Sequence, residues 1–282
     1  MDKKRVIGNA TFPDLHRPAM GRVHHTHGSR YRRATAHAAA LWGAILLNLI
    51  FLVAAAHRVR AETPCPIPDS LALRDIALPA SKQQVAADRH LTVLTFGGIH
   101  PAGADATAVG ATYPARLEAA LRAALPEVEV AVANEAAPGK SSSDVPAALP
   151  ALIARTGAKL VIWGPGGRDV AAHVDHAAFG DAVNRGIEAA RHAGADLILL
   201  DTSFVPSPTR MALIEAYRDR LLAAAAANHV PLLRRHGMMR LWSEDGTLNL
   251  AARDQAEREL VVRHLFSCVA QGLAAPIAAA VR

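Results

Sequence analysis

The chain has 282 residues, of which 51% are hydrophobic and 20% are charged, a composition typical of one globular domain with additional segments. The formal net charge is +6, but the residues before position 38 hold eight Lys or Arg against two Asp. The rest of the chain therefore carries equal numbers of basic and acidic residues. A neutral domain lacks the basic surface that nucleic acids require, so we expect no nucleic-acid partner.

The amino terminus has the pattern of a basic tail followed by a membrane anchor. Residues 1–37 are polar and include His24-His25-Thr26-His27, which we interpret as part of a disordered tail and not as a metal site. Residues 38–56 are nineteen uncharged residues, and as a helix of about 1.5 Å per residue they nearly span a bilayer. The excess of positive charge before them predicts a cytoplasmic amino terminus and a periplasmic carboxyl-terminal domain at the inner membrane.

A cleaved signal peptide is the alternative for this segment. Val59-Arg60-Ala61 has small residues at the spacing of a peptidase site. The neighbouring charges of Arg58 and Arg60, and the length of the apolar segment, favour an uncleaved anchor. Residues 57–89 contain four prolines and are predicted to be an extended linker before a domain at residues 90–282.

Short apolar segments alternate with amphipathic segments after residue 90. Strands are predicted at 91–96, 128–133, 160–163, 197–200 and 230–233. Helices are predicted at 112–125, 141–155, 177–192, 209–227 and 250 to about 272. This alternation predicts an α/β domain in which a five-stranded parallel sheet is covered by helices on both faces, a three-layer α/β/α sandwich of flavodoxin-like type.

Four short motifs follow predicted strands or precede the last helix. They are Gly97-Gly98-Ile99-His100-Pro101-Ala102-Gly103, the segment from Asn134 to Gly139, Gly166-Gly167-Arg168-Asp169, and Asp245-Gly246-Thr247-Leu248. In this order and spacing they resemble the four conserved blocks of the SGNH (GDSL-type) hydrolases, and the resemblance extends from about residue 91 to 273. It implies the same three-layer fold.

The resemblance also implies where the catalytic groups of that family would stand. Its nucleophilic Ser falls on Ile99, its backbone oxyanion donor on Gly139 and its oxyanion Asn on Arg168. Its Asp and His fall on Asp245 and Leu248. A hydrocarbon side chain neither attacks an ester nor exchanges a proton, so Ile99 and Leu248 imply a member of the family that has lost catalysis.

Residues that flank these blocks are candidates for the lining of a cleft: Gly98, His100, Asn134, Ser141, Ser142 and Asp169. A rearranged nucleophile that uses His100 with one of the serines is an alternative, although the serines have the pattern of a helix cap and first turn. Neither the segment 173–176, with its two His and one Asp, nor the glycine-rich segment 164–169 has the spacing of a metal or dinucleotide site. No metal and no cofactor are therefore expected.

The resemblance suggests a function at the bacterial envelope. We expect a membrane-anchored, extracytoplasmic, inactive SGNH-hydrolase-like protein with a binding or accessory role, in the context of acylated glycans or polysaccharide assembly and with a glycan or an envelope protein as partner. Two alternatives remain, a divergent esterase or O-acyltransferase and a pure protein-interaction module. An open pocket beside Ile99 and Arg168 favours ligand binding, whereas a pocket closed by Ile99, Arg168 and Leu248 favours the interaction module.

Two further expectations concern individual pairs of residues. Cys65 and Cys268 are the two cysteines of the chain, and an oxidising compartment permits them to pair, although two free thiols remain the alternative. Arg168 is expected to contact Asp245, directly or through water, because the Asp has lost its histidine partner; such pairing would lower the pKa of Asp245. The alternative is that both side chains point into solvent.

Overall fold

A five-stranded parallel sheet forms the centre of the fold. The computed structural model of the protein describes residues 65–97, 112–135 and 140–282. The strands are β1 His90–Phe96, β2 Glu129–Glu135, β3 Leu160–Trp163, β4 Asp196–Leu200 and β5 Leu232–Leu233. They are ordered β2-β1-β3-β4-β5, and every neighbouring pair is parallel. The predicted sheet is confirmed in number and direction of strands.

Eight α-helices and one short 3₁₀ helix lie in the described part of the chain. They are α1 Pro79–Asp88, α2 Tyr113–Ala124, the 3₁₀ helix Ser142–Asp144, α3 Val145–Thr156, α4 Gly167–Ala171, α5 His176–His192, α6 Pro208–Ala227, α7 Arg235–Glu244 and α8 Gln255–Val281. The five predicted helices are present, but the last begins at Gln255 and continues to Val281. The sequence did not predict α1, α4 and α7.

Side chains that alternate along the central strands build a separate core on each face of the sheet. On one face, Leu91 and Ile162 pack with residues of α1, α2, α7 and α8. On the other face, Leu94 and Val161 pack with residues of α3, α5 and α6. Both faces are therefore covered by helices, which confirms the three-layer α/β/α sandwich.

Helix α8 is the most apolar long helix of the described residues. By length and composition alone it is the one described helix that could cross a membrane, but 67% of its apolar stretch is buried inside the protein. Leu273 and Ile277 of this helix lie in the core. Such burial is typical of the core helix of a globular domain. The expected tail at residues 1–37 and the expected anchor at 38–56 lie outside the described residues.

The segment before the sheet is part of the folded domain, which corrects the expected linker at residues 57–89 over its described part. Leu73 and Leu78 are buried in the core. The backbone N–H and hydroxyl of Ser81 in α1 donate to the Asp196 carboxylate at 2.8 and 2.7 Å. The prolines misled the prediction because Pro79 occupies the first turn of a helix, where its missing N–H costs nothing. Residues 57–64 lie outside the described part.

A disulfide joins this amino-terminal segment to the last helix. Cys65 and Cys268 are paired, with their Cα atoms 5.4 Å apart and a sequence separation of 203. The pairing that the sequence left open is therefore formed. It ties residues that precede β1 to the buried centre of α8, so the first and last described segments stabilise each other.

Candidate functional site

The described residues of the first three candidate blocks lie at or after the carboxyl ends of β1, β2 and β3, and β1 and β3 approach each other closely there. Gly97 directly follows β1 with φ +77°, and a Cβ atom at this position would lie 2.9 Å from the Gly164 carbonyl oxygen. The Gly164 N–H donates to the Phe96 carbonyl at 3.2 Å. Only glycine satisfies both the left-handed backbone and the lack of space. Gly98, Ile99 and His100 follow Gly97 but lie outside the described residues.

Ser142 and Asp169 join the loop after β2 to the loop after β3. The Asp169 carboxylate is 2% exposed and accepts hydrogen bonds from the Ser142 N–H at 3.0 Å and from its hydroxyl at 2.8 Å. Ser142 itself is 3% exposed. A buried hydroxyl that donates to a carboxylate is a structural contact, because a nucleophile must reach the substrate and needs a base that exchanges a proton near neutral pH.

Ser141 caps the short helix that begins at Ser142. Its N–H donates to the Asp144 carboxylate at 2.8 Å and its hydroxyl to the same group at 3.1 Å. These hydrogen bonds lower the pKa of Asp144. The interpretation of the serines as cap and first turn is confirmed. Asn134, also expected at the cleft, lies on β2 and accepts from the Thr95 hydroxyl at 3.2 Å, whereas Gly139 lies outside the described residues.

The block at the end of α7 does not have the expected contact with Arg168. The Asp245 carboxylate accepts from the Thr247 N–H at 2.8 Å, and its hydrogen bonds with Thr247 lower its pKa. Among the ion pairs of the described residues there is none between Arg168 and Asp245. The direct pairing that we expected is wrong, because Asp245 is used within its own turn.

Leu248 is the residue that the sequence resemblance aligns with the catalytic histidine. It is 2% exposed and belongs to the core between the sheet and helices α1, α2, α7 and α8. Its N–H donates to the Trp242 carbonyl at 2.8 Å, which fixes the turn after α7. The side chain at this position therefore contributes to packing and has no group that could act as a base.

A cavity of about 820 Å³ opens at the same edge of the sheet, beside the blocks described above. Its described wall comes from the loops after β3 and β4, from α4 and α7, from the segment between α7 and α8, and from the amino-terminal halves of α6 and α8. The predicted cleft residues Asn134, Ser141, Ser142 and Asp169 are not part of that wall, although Gly167 and Val170 next to Asp169 are. The cavity is thus displaced along the sheet from the expected position, toward β4 and β5.

A buried polar network that sequence reasoning missed lies next to this cavity. The Asp201 carboxylate is fully buried and accepts from Arg218 Nε, 3.1 Å from each carboxylate oxygen. Arg235, which is 3% exposed and contributes to the cavity wall, donates through Nε to the Asp201 carbonyl at 2.8 Å. Burial lowers the pKa of Arg235 to about 10, so it remains charged at neutral pH. The signal in the sequence was Asp201 directly after β4 and Arg235 two positions after β5.

Comparison with known families decides the assignment of this domain. Residues 64–282 match the model of the Non-GDSL lipase-like family. The chain belongs to the Non-GDSL lipase-like family. The matched segment includes residues 65–89, in agreement with their place in the folded domain. A search among curated proteins found no match.

Solved structures of GDSL/SGNH hydrolases share the fold of this Non-GDSL lipase-like chain. The crystal structure of TesA is 25% identical, with a TM-score of 0.50, and covers 64% of this chain and 97% of its own. LAE5, an alpha/beta hydrolase from the metagenome of Lake Arreo, Spain, is 20% identical, with a TM-score of 0.52 and coverage of 68% and 96%. Axe2, an acetylxylan esterase from Geobacillus stearothermophilus, is 18% identical, with a TM-score of 0.50 and coverage of 64% and 91%. The resemblance inferred from the sequence blocks is therefore confirmed.

Proposed function

We propose that this protein is a non-catalytic, ligand-binding member of the Non-GDSL lipase-like family. The observation that supports the proposal is the burial of Leu248, which the sequence resemblance aligns with the catalytic histidine and which is 2% exposed in the core. The sequence has Ile99 at the position of the nucleophile. A fold that lacks both a nucleophile and a base does not accelerate ester hydrolysis by the mechanism of its relatives.

The cavity supports binding as the remaining function. Its volume of about 820 Å³ lies within the range of small-molecule sites in proteins. Its wall combines apolar side chains with a few charged ones, the usual arrangement for binding an amphiphilic molecule. Ser142 and Ser141, the serines considered for a rearranged mechanism, are occupied by Asp169 and Asp144. These contacts favour binding over a divergent esterase or O-acyltransferase.

The proposed location is the periplasmic side of the inner membrane, with residues 38–56 as the anchor. The charge asymmetry around this segment supports the orientation. The Cys65–Cys268 disulfide also supports it, because structural disulfides persist mainly in oxidising compartments. The proposed role is accessory, at the cell envelope, on an acylated glycan or in polysaccharide assembly; the argument for this context is analogy with the fold.

Hydrolysis of short-chain aryl esters by the purified full chain tests the loss of catalysis. We expect release of the phenol no faster than in buffer. Turnover that survives purification and is lost in Ser142→Ala or His100→Ala, but not in the neighbouring Ser143→Ala, would establish the divergent esterase instead. Ser143 is the matched control because it is exposed in the same 3₁₀ helix.

A phosphatase fused after Arg282 tests the proposed location. The fusion is expected to be active in cells, because the enzyme matures only outside the cytoplasm. An inactive fusion that is present in the membrane fraction at a normal level would reverse the topology.

A partner protein that copurifies with a chain unable to bind acyl compounds would favour the interaction module.

A further inference from the structure

Three side chains of the kind that bind metal ions meet where the amino-terminal segment contacts the last helix. They are Cys65, His264 and Cys268, and their sulfur and ring-nitrogen atoms all lie within 4.8 Å of one another. In the described part of the chain this is the one group of three or more Cys, His, Asp or Glu side chains that are so close together. Cys65 and His264 are 199 positions apart, so no local motif in the sequence indicates the group.

Helix α8 supplies two of the three side chains. His264 and Cys268 are four residues apart in this helix, so they lie on the same face, about one turn from each other. This spacing lets one helix present two ligands to a single metal ion. Cys268 is fully buried, whereas His264 is half-buried, so the group extends from the core to the solvent and an ion can reach it.

Cys65 is held in its place by contacts that do not involve its sulfur atom. The carbonyl of the next residue, Pro66, accepts a hydrogen bond from the buried Trp242 Nε1–H at 2.7 Å. Ile67 packs against the same core that contains Cys268. Reduction of the disulfide leaves both contacts intact, so the thiol of Cys65 stays next to His264 and Cys268.

The distances agree with the geometry of a tetrahedral zinc site. Bonds of about 2.3 Å from zinc to sulfur and about 2.1 Å from zinc to nitrogen place a sulfur and a nitrogen ligand about 3.6 Å apart, and two sulfur ligands about 3.8 Å apart. Cys65 Sγ and His264 Nε2 are already 3.6 Å apart. The Cα atoms of the two cysteines are 5.4 Å apart, so rotation of their side chains separates the sulfurs once the bond between them is broken.

We propose that the reduced chain binds one Zn²⁺ ion through Cys65 Sγ, His264 Nε2 and Cys268 Sγ, and that formation of the disulfide releases this ion. Two thiolates and an imidazole suit zinc, whereas Mg²⁺ and Ca²⁺ prefer oxygen ligands. Three protein ligands leave the fourth position of the tetrahedron to water. The zinc site does not use the cavity, so it stands or falls independently of the proposed ligand-binding function.

Two electrons and two protons are exchanged when the site changes between its two forms. A phosphine reductant gives two electrons to the disulfide and becomes a phosphine oxide, with oxygen and two protons supplied by water. The two thiols that result lose these protons when Zn²⁺ binds. In the reverse direction an oxidant, such as a low-molecular-weight disulfide, removes two electrons from the thiolates, the sulfur–sulfur bond forms and Zn²⁺ leaves.

Cobalt binding to the full chain in amphipol tests the inference, because Co²⁺ bound to thiolates in place of Zn²⁺ gives a charge-transfer absorption. The chain has two cysteines, so this absorption reports on them and not on the histidines of the tail. With a phosphine reductant we expect the absorption to saturate at one Co²⁺ per chain and to disappear when one equivalent of Zn²⁺ is added. The disulfide form should not show it. A reduced chain without the absorption would overturn the inference.

A histidine variant tests the third ligand. His264→Ala is expected to weaken Zn²⁺ binding to the reduced chain about 100-fold or more, since the loss of a group that merely supports a metal ligand already costs about 10–100-fold. His192→Ala is the matched control, because His192 is exposed in α5 on the other face of the sheet. Unchanged zinc affinity in His264→Ala would refute the imidazole ligand.

Thermal unfolding gives a measurement on the wild type alone, which decides even where a variant fails to fold. Zn²⁺ should raise the Tm of the reduced wild type, because an ion that binds the folded state stabilises it. It should leave the Tm of the disulfide form unchanged. An equal rise in both forms, or no rise in the reduced form, would contradict a zinc site made by the two thiols.

Discussion

Removal of the Cys65–Cys268 disulfide is expected to cause a large loss of stability. The bond closes a loop of about 200 residues, since the sequence separation of the two cysteines is 203. In the chain-entropy model a loop of this length is worth about 5 kcal/mol, and measured disulfides usually give about 2–4 kcal/mol. For a domain of this size, a loss of about 4 kcal/mol lowers Tm by about 10 °C.

Alanine variants provide the assay for this prediction. Cys65→Ala, Cys268→Ala and the double variant are compared with the wild type by thermal unfolding, with and without reductant. Each single variant breaks the same bond, so the double variant should lose little more than either single one. Reductant should bring the wild type to the level of the variants and leave the double variant unchanged.

Two results would refute this reasoning. One is quantitative labelling of both thiols in the denatured wild type without reductant, which would show that the bond does not form. The other is a small decrease in Tm for each single variant, with the two decreases adding up in the double variant, which would show that each cysteine contributes only its own packing. Cys268 is fully buried, so a small packing loss in its variant is expected beyond the loss of the bond.

Three further predictions concern positions near the sheet edge and one helix cap. Gly97→Ala should cost about 1–3 kcal/mol more than Gly157→Ala, because both have positive φ but only Gly97 has an atom within 3 Å of the added Cβ. Ser142→Ala should cost about 1–3 kcal/mol in urea unfolding because it removes a donor from the buried Asp169, whereas Ser143→Ala should cost little. Asp175 caps α5, and its hydrogen bonds with the Ala178 and Ala177 N–H groups lower its pKa. Its stabilisation is present above the ordinary Asp pKa of about 3.9 and is lost as the pH falls through the lower folded value, so the Tm difference between wild type and Asp175→Ala should shrink from about pH 5 to about pH 2.

Equal decreases in the free energy of unfolding for Gly97→Ala and Gly157→Ala would show that β1 does not approach β3 closely. A Ser142→Ala variant as stable as the wild type would show that Asp169 finds another donor. A Tm difference for Asp175→Ala that stays constant with pH would separate the cap from the ionisation of the carboxylate.

The sheet could be predicted from the sequence because its strands are short apolar runs, many of them β-branched. Val93 and Ile162 are examples that alternate with residues facing the other core. Helices α2 and α5 were also predictable, since their buried residues recur at helical spacing. These elements could be predicted because the pattern of residues within each segment is sufficient to indicate them.

The missed elements depend on contacts between distant parts of the chain. Helix α1 was hidden because the prolines before it suggested a linker, and its main anchor is a hydrogen bond from Ser81 to Asp196, 115 residues away. Helix α7 begins with Arg235 and His236, two polar residues that are buried in the structure. No local pattern indicates that a charged residue is buried, because its burial is made possible by a partner such as Asp201 in the loop after β4.

The candidate site was predicted in part. The described residues of the blocks after β1, β2 and β3 lie at the carboxyl edge of the sheet, as parallel topology requires. Ser142 and Asp169, expected to line a cleft, instead bond to each other, and Asp245 bonds to Thr247 in its own turn. Short polar side chains form hydrogen bonds with nearby groups of the protein and are then not available to a ligand. The sequence therefore indicated the correct edge of the sheet but not the residues that face the cavity.

We propose that the chain binds an acylated ligand and does not hydrolyse it. The most direct measurement is to incubate the full chain with an octanoyl ester of a sugar, separate the protein from free ligand, and identify the bound molecule by mass spectrometry. We expect that the intact ester is recovered, about one per chain, and that octanoate does not accumulate above the level in buffer. Recovery of free octanoate that increases with protein concentration would contradict it.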